Sequence, residues 1–395
     1  MSRELLFPVD YFDWFKLGSA FFCSFLITYL AIPVIVRVSV AKNLFVLPNG
    51  RTSHKYATPT LGGIAMFAGI MVSSLLFVNN KEFINFQYAL AGCFILFFFG
   101  VKDDLTPLTW KVKLFGELLA AFFLIILGDF RINEFGGFLG LYHISYIASV
   151  LFTFLVFIGI VNAVNLIDGI DGLAAGLTFL STSIFGAWFI MTGQIALAVI
   201  AISILGMLLA YLGFNVFGTT NKIFMGDTGA LLLGYLMTVF VIAFIERNAV
   251  SYLPWRVNNA PIVAFAILFI PLFDTLRVMA IRIGKGKSPF SADRNHIHHR
   301  LLDLGLTHVQ TTMVLVATNT FFIMIAFLMQ NLNINLLICV IFALGIIKSF
   351  VPVYIRKRWM AKAPVLTPEM VVSHKNVSTE TDHSALHDNI YNQRN

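Results

Sequence analysis

Apolar runs follow one another along this chain, most of them near the length that crosses a bilayer as helix. A spanning helix needs roughly 20 mostly apolar residues. Such runs fall near 17–40, 61–79, 87–101, 113–128, 145–165, 172–191, 195–213, 229–246, 261–281, 312–330 and 333–355. Hydrophobic residues make up 58% of the 395 and charged residues only 12%, about half the charged fraction of a soluble domain. With 41 Phe, the solvent for most of the chain must be lipid. The expected fold class is therefore all-α: a polytopic membrane helical bundle of about eleven transmembrane helices.

The start, MSRELLFPVDYFDWFKLGS, lacks the basic, apolar and small-residue regions of a removable signal, so the first helix is expected to remain as an anchor. Cys23, Cys93 and Cys339 lie in apolar stretches without metal-ligand spacing and read as packing residues. The formal charge of +7 is spread over short connections with no continuous basic face, so no nucleic-acid partner is indicated. Its distribution sets topology instead. Alternate connections hold Arg3, Lys16, Lys81, Arg131, Arg247 and Arg256 on one side. Lys42, Arg51, Lys55, Lys102, Lys111, Lys113, Lys222, Arg282, Lys285, Lys287, Arg294, Arg300 and the 356–358 cluster lie on the other. The richer side is expected to be cytoplasmic, which puts the N-terminus in the periplasm and the C-terminus inside. Residues 1–362 read as one membrane domain, and the polar stretch 363–395, with Pro364 and Pro368, reads as a disordered tail.

The acids gather at span ends on the cytoplasmic side. Asp103 and Asp104 close the third span in FFFGVKDDLTPLTWKVK, where two adjacent carboxylates beside hydrocarbon are costly unless they meet cations or a metal. A solvated helix end is the plainer reading. Lys102, Lys111 and Lys113 make the neighbourhood able to hold a phosphate and a divalent ion together. The fifth span runs into NAVNLIDGIDGLAAG, where Asn162, Asn165, Asp168 and Asp171 recur every third residue. On a helix, neighbours at that spacing share a face, and amide and carboxylate oxygens suit Mg²⁺ or Mn²⁺. Capping and turn chemistry explains one or two of the four. In KIFMGDTGALLLG, Asp227 sits at the mouth of the eighth span as ordinary N-cap material, and its weight comes from lying on the same side as the other acids. In the ninth span, Asp274 precedes Arg277 by three residues, which favours a structural ion pair. The loop RIGKGKSPFSADRNHIHHR then offers Arg282, Lys285, Lys287, Arg294 and Arg300 as phosphate partners. His296, His298 and His299 lack zinc-ligand spacing. The string NGRTSHKYATPTLGG adds Arg51, His54 and Lys55 ahead of a shaped helix start.

Together these strings resemble the polyprenyl-phosphate N-acetylhexosamine-1-phosphate transferase family. The matching pieces are TPTLGG at 58–63, the Asp103–Asp104 pair followed by Lys113, NAVNLIDGIDGLAAG at 162–176, FMGDTG at 224–229 and SPFSADRNHIHHRL at 288–301. They occur in the family's order over roughly 40–305. The resemblance implies transfer of N-acetylglucosamine 1-phosphate from its UDP derivative to undecaprenyl phosphate, with release of UMP. The His-Ile-His-His string resembles that branch more than the one using UDP-N-acetylmuramoyl-pentapeptide. The resemblance also implies site roles. Asp103, Asp104, Lys113 and Asp168 form the catalytic set, the pair near the attacking phosphate and Lys113 holding it. Asn165 and Asp227 are ligands of Mg²⁺ or Mn²⁺. Asp171 faces the nucleotide sugar, with Arg294, His296, His298 and His299 around its phosphates. A third acid that related enzymes often carry after the first pair is replaced here by Pro107.

The implied partners are a UDP-sugar, undecaprenyl phosphate and the surrounding membrane lipid, with homodimerisation left open. The implied location is the bacterial cytoplasmic membrane with the site on its inner face. A transporter of anions or nucleotide sugars is the alternative of a different class. Transporters place ionisable groups near the midplane in repeated halves, whereas here the acids lie at span ends and no repeat is visible.

Overall fold

The computed structural model describes residues 9–44, 58–79, 85–250, 255–289 and 294–362. Arg3, Arg51, His54, Lys55, Lys81, the 290–293 part of the histidine loop and the 363–395 tail lie outside the described residues. The chain divides into Met1–Lys348 and Ser349–Asn395. In the second unit the described residues, 349–362, are the end of a helix.

The helices are α1 (Tyr11–Ala41), α2 (Gly62–Phe77), α3 (Phe86–Leu105), α4 (Trp110–Phe122, closed by a π-turn), α5 (Tyr146–Ile167), α6 (Leu173–Met191) and α7 (Ile195–Val216). They continue as α8 (Gly226–Asn248), α9 (Ala260–Ile267), α10 (Phe269–Gly284), the short α11 (Ile297–Leu302), α12 (His308–Leu328) and α13 (Ile334–Lys362). Every apolar stretch expected to be a span contains helix. Among the described residues seven helices are long and apolar enough to cross a membrane, or eight if α9 and α10 form one broken span, and α2 is a shorter apolar helix. The protein is thus a mainly helical, multi-pass membrane protein.

The helix α8 forms the centre of the first unit. It is apolar all round, and its apolar window is wholly buried, as expected of a helix with no solvated face. The helices α2, α3, α5, α6 and α9 pack against it. Glycines bring the backbones close: a Cβ on Gly234 would lie 2.7 Å from the Val161 Cα of α5.

Two features depart from simple spans. The connection after α4 contains a hairpin, β1 (Glu134–Phe138) and β2 (Leu141–His143), with Glu134 opposite His143. Gly136, Gly137 and Gly140, together with Leu139, take its positive φ values. Glu246, near the end of α8, accepts from the Asn133 N–H (2.6 Å), the Glu134 N–H (3.1 Å) and Asn133 Nδ2 (3.1 Å), anchoring the hairpin to the bundle. The ninth expected span is bent by 85° between α9 and α10. Pro271 has no N–H, and its ring crowds the carbonyl four residues back, that of Ile267. That carbonyl accepts from Ser181 Oγ and Asn319 Nδ2, each at 2.9 Å, while Asn319 Oδ1 accepts from the Ile270 N–H at 2.9 Å. Side chains from two other helices thus satisfy the backbone that the break exposes.

Candidate active site

The end of the bundle opposite the hairpin is built around the first turn of α8. Gly226 has φ +68°, the left-handed region that suits glycine, and turns the chain so that Asp227 leads the helix. The Asp104 carboxylate at the end of α3 accepts from the Asp227 N–H (2.8 Å), the Thr228 N–H (3.0 Å) and the Thr228 hydroxyl (2.5 Å). A carboxylate borrowed from another helix caps the positive end of α8. The segment at 58–63 runs alongside. The Phe224 N–H donates to Pro59 O, and the Gly62 and Gly63 N–H groups donate to Phe224 O and Met225 O. A Cβ on Gly63 would lie 2.6 Å from Thr228 Cβ, and one on Gly100 would lie 2.5 Å from Thr228 Cα. The glycines of TPTLGG and FFFG therefore let three helix ends meet.

Two side chains from separate helices converge on Asp227. Lys113, at the start of α4, places Nζ 3.2 Å from Asp227 Oδ1 and is also ion-paired with Asp103 Oδ2. Asp103 Oδ1 accepts from the Leu108 N–H at 2.6 Å, closing the turn that aims α4. Asn165 Nδ2, from the last turn of α5, donates to Asp227 Oδ1 at 2.7 Å. The Lys113 and Asp227 side chains each remain 31% exposed, so a ligand can reach them. Asp168 lies one residue beyond α5, and among the described residues its carboxylate has no hydrogen-bond or ion-pair partner. Burial, with the negative charges of Asp227, Asp104 and Asp171, pushes its carboxyl up to about 7.

The three-residue repeat is not one continuous helix face, because α5 ends at Ile167. Asn162 and Asn165 remain on the helix, Asp168 caps it, and Asp171 falls in the turn before α6. Asn162 Nδ2 donates to Glu117 Oε2 of α4 at 2.7 Å. Asp171 Oδ2 receives Lys222 Nζ at 2.7 Å and lies 3.2 Å from His308 Nδ1. Buried Asn215 fixes this turn, accepting from the Gly172 N–H (2.7 Å) and donating to Ile223 O (2.9 Å). Nothing in the local sequence marked Glu117, Asn215, Lys222 and His308 for these contacts, because their partners are distant in sequence.

The histidine loop borders the same turn. The ion pair between Asp274 and Arg277 forms at 2.6 Å, and Asp274 does more than sequence suggests. Its Oδ2 is 2.9 Å from His296 Nδ1, and its two oxygens accept from the Ile297 N–H at 3.2 Å. His296 packs against His298 with ring centroids 5.7 Å apart, and His298 against His299 at 4.2 Å. A Cβ on Gly169 would lie 2.7 Å from His298 Nε2, so glycine beside Asp168 lets this loop approach. Burial and the neighbouring His299 push His298 down to about 3, which keeps it a neutral imidazole at physiological pH. Burial and then Arg294 also lower His299. Arg294 itself is exposed at the rim.

The oxygen donors present fit a divalent cation. Asp168 is a half-buried carboxylate with no hydrogen-bond or ion-pair partner among the described residues, and it lies within electrostatic reach of Asp227. Asn165 presents its oxygen once its amide is turned over, an assignment that hydrogen-bonding partners alone decide. No three His, Cys, Asp or Glu side chains surround one point among the described residues. The protein would therefore supply a partial shell, of the kind Mg²⁺ completes with water and substrate phosphate oxygens.

A polar centre thus gathers at the ends of helices in a bundle of which several members are long and apolar enough to cross a membrane. A family model described as glycosyl transferase family 4 matches residues 86–245. An undecaprenyl-phosphate alpha-N-acetylglucosaminyl 1-phosphate transferase of Yersinia pestis is 29% identical over 304 residues, 75% of this chain and 80% of that protein. A probable undecaprenyl-phosphate N-acetylglucosaminyl 1-phosphate transferase of Bacillus subtilis is 30% identical over 337 residues, 84% of this chain and 90% of the relative. The Escherichia coli K12 protein with the same activity in its name is 28% identical over 293 residues, 72% of this chain and 76% of its own length. The chain belongs to glycosyl transferase family 4.

Proposed function

We propose that this protein transfers N-acetylglucosamine 1-phosphate from UDP-N-acetylglucosamine to undecaprenyl phosphate, releasing UMP and starting a lipid-linked cell-envelope glycan. The names of its relatives support the acceptor and the sugar. The observation that carries the reading is the convergence of Lys113 and Asn165, from separate helices, on Asp227, with Asp168 within reach of its charge. That centre has the charge pattern needed to bring two anionic phosphates together.

In the reaction, an oxygen of the lipid phosphate bonds to the β-phosphorus of the donor while the bond from that phosphorus to the UMP oxygen breaks. A phosphate monoester has its second pKa near 6, so the nucleophile is already largely ionised and a strong general base is unnecessary. Lys113 attracts and orients the lipid phosphate. Asp103 holds Lys113 in place and Asp104 holds the first turn of α8. Arg294 and the histidine loop close the donor side. Asp227, Asn165 and Asp168 would hold Mg²⁺ or Mn²⁺, which would supply neutralising charge for the pyrophosphate and the departing UMP. Direct attack accounts for this arrangement without a covalent aspartyl intermediate, and single-turnover reactions should trap no sugar phosphate on the protein.

The membrane arrangement belongs to the same proposal: eleven crossings, N-terminus periplasmic, C-terminus and site cytoplasmic, in the bacterial cytoplasmic membrane. The basic residues flanking the site end support that orientation, and nucleotide sugars are available on that side. The test is a panel of UDP-acetamido sugars and UDP-N-acetylmuramoyl-pentapeptide with purified protein, Mg²⁺ and undecaprenyl phosphate, read by mass spectrometry of the lipid product. An N-acetylglucosamine pyrophosphate lipid supports the proposal. A product only from the muramoyl donor, or none from any, contradicts it.

A further inference from the structure

Glu117 is 3% exposed on α4, in the apolar stretch just past Lys113. Burying a carboxylate costs several kcal/mol unless its partners are good. Here the partner is the amide of Asn162, which donates Nδ2 to Glu117 Oε2 at 2.7 Å and is itself held by Ile158 O at 3.0 Å. Among the described residues this is the one hydrogen bond joining α4 to α5.

Its position explains why it is worth keeping. Glu117 lies four residues after Lys113 on α4, and Asn162 lies three before Asn165 on α5, so each pair shares a helix face. The two helices therefore face each other on two rungs. On the upper rung Lys113 and Asn165 both reach Asp227 Oδ1, at 3.2 and 2.7 Å. On the lower rung Glu117 and Asn162 bind each other directly. Next to it, a Cβ on Gly116 would lie 2.6 Å from the Phe99 ring, so α4 is already pressed against α3. The lower rung fixes the remaining freedom, the separation of α4 from α5.

We infer that Glu117 is a positioning residue, whose hydrogen bond to Asn162 sets the spacing of α4 and α5 that lets Lys113 and Asn165 meet on Asp227. The consequence for transfer rests on the function proposed above; the consequence for Lys113 does not. Glutamine keeps an acceptor oxygen at the same place, whereas alanine removes it. A role in spacing therefore survives Glu117→Gln, and a role requiring the negative charge does not.

The test compares wild type, Glu117→Gln and Glu117→Ala in detergent, each first checked for a monodisperse elution profile. Competitive acetylation, read by peptide mass spectrometry with Lys42 and Lys285 as internal standards, follows the reactivity of Lys113 without any substrate. In Glu117→Ala, Lys113 loses its contact with Asp227 while keeping that with Asp103, and should acetylate severalfold faster than wild type. In Glu117→Gln it should match wild type. The transfer assay run in parallel should show kcat reduced about tenfold or more in the alanine variant, and within about twofold of wild type in the glutamine variant. An Asn162→Ala, Glu117→Ala double variant should be no worse than the poorer single one. Unchanged Lys113 acetylation in Glu117→Ala, or a glutamine variant as impaired as alanine, overturns the inference. If Glu117→Ala does not elute as one species, Asn162→Ala takes its place, with the same two readouts and the same deciding outcomes. A wild-type protein inactive toward the UDP-sugar defeats the proposed function and leaves the acetylation result to decide this inference.

Discussion

Asp227 draws its setting from residues far away in sequence: Asp104 fixes its backbone while Lys113 and Asn165 share one of its oxygens. Asp227→Ala should still insert, yet lose transfer by about 100-fold or more and lose its response to Mg²⁺. Wild type treated with a chelator should fall equally far and recover on adding Mg²⁺. Full activity in the variant would remove Asp227 from the centre. His298 gives a test by pH. Its folded pKa of about 3 lies below the ordinary 6.5, so the unfolded chain binds this proton first as pH falls. Stability is then lost progressively from about pH 6.5 downward. Thermal midpoints at pH 7.5 and 5.0 should drop further in wild type than in His298→Asn, and an equal drop would mean that His298 is not buried in its neutral form. At this scale sequence singled out Asp103, Asp104, Lys113, Asn165 and Asp227, which the structure brings together, because polar residues stand out in an apolar chain. It could not name their partners. Glu117 looks like an isolated charge until α5 brings Asn162 to it, and the even spacing of 162, 165, 168 and 171 conceals the helix end at Ile167.

Between the elements, close approach does much of the positioning. Gly63 and Gly100 leave no room for a side chain against Thr228. Gly63→Val should push α2 from α8 and lower stability by about 1–3 kcal/mol, seen as a lower thermal midpoint. Gly18→Ala, where nothing lies within 4 Å, should leave the midpoint unchanged or slightly raised. Asn319→Ala should cost about 2 kcal/mol, because the Ile270 N–H loses its acceptor at the break between α9 and α10. A variant as stable as wild type would show that Asn319 does not hold the break. The helices were legible because each apolar stretch is long and bounded by polar residues. The break was not, since Pro271 marks a kink while its angle depends on Asn319 and Ser181 from other helices. The hairpin was hidden in a short connection whose Gly136, Gly137 and Gly140 indicate turns without giving strand pairing.

For the whole molecule, the proposed function gives the apolar bundle a chemical purpose. On that proposal, a lipid acceptor would keep its tail against helix surfaces while its phosphate reached Lys113 and Asp227 at the helix ends, and a donor soluble in water would come from the aqueous side. The reaction follows from which bond breaks, and two labels follow that bond: UDP-N-acetylglucosamine carrying ³²P at the β-phosphorus and ¹⁴C in the sugar, incubated with purified protein, Mg²⁺ and undecaprenyl phosphate. The expected result is both labels in the chloroform phase in equal molar amounts, with unlabelled UMP in the water phase. Sugar label alone in the lipid, with ³²P left in UDP, would show transfer without phosphate and contradict the assignment of Lys113 and Asp227 to a phosphate-transfer centre.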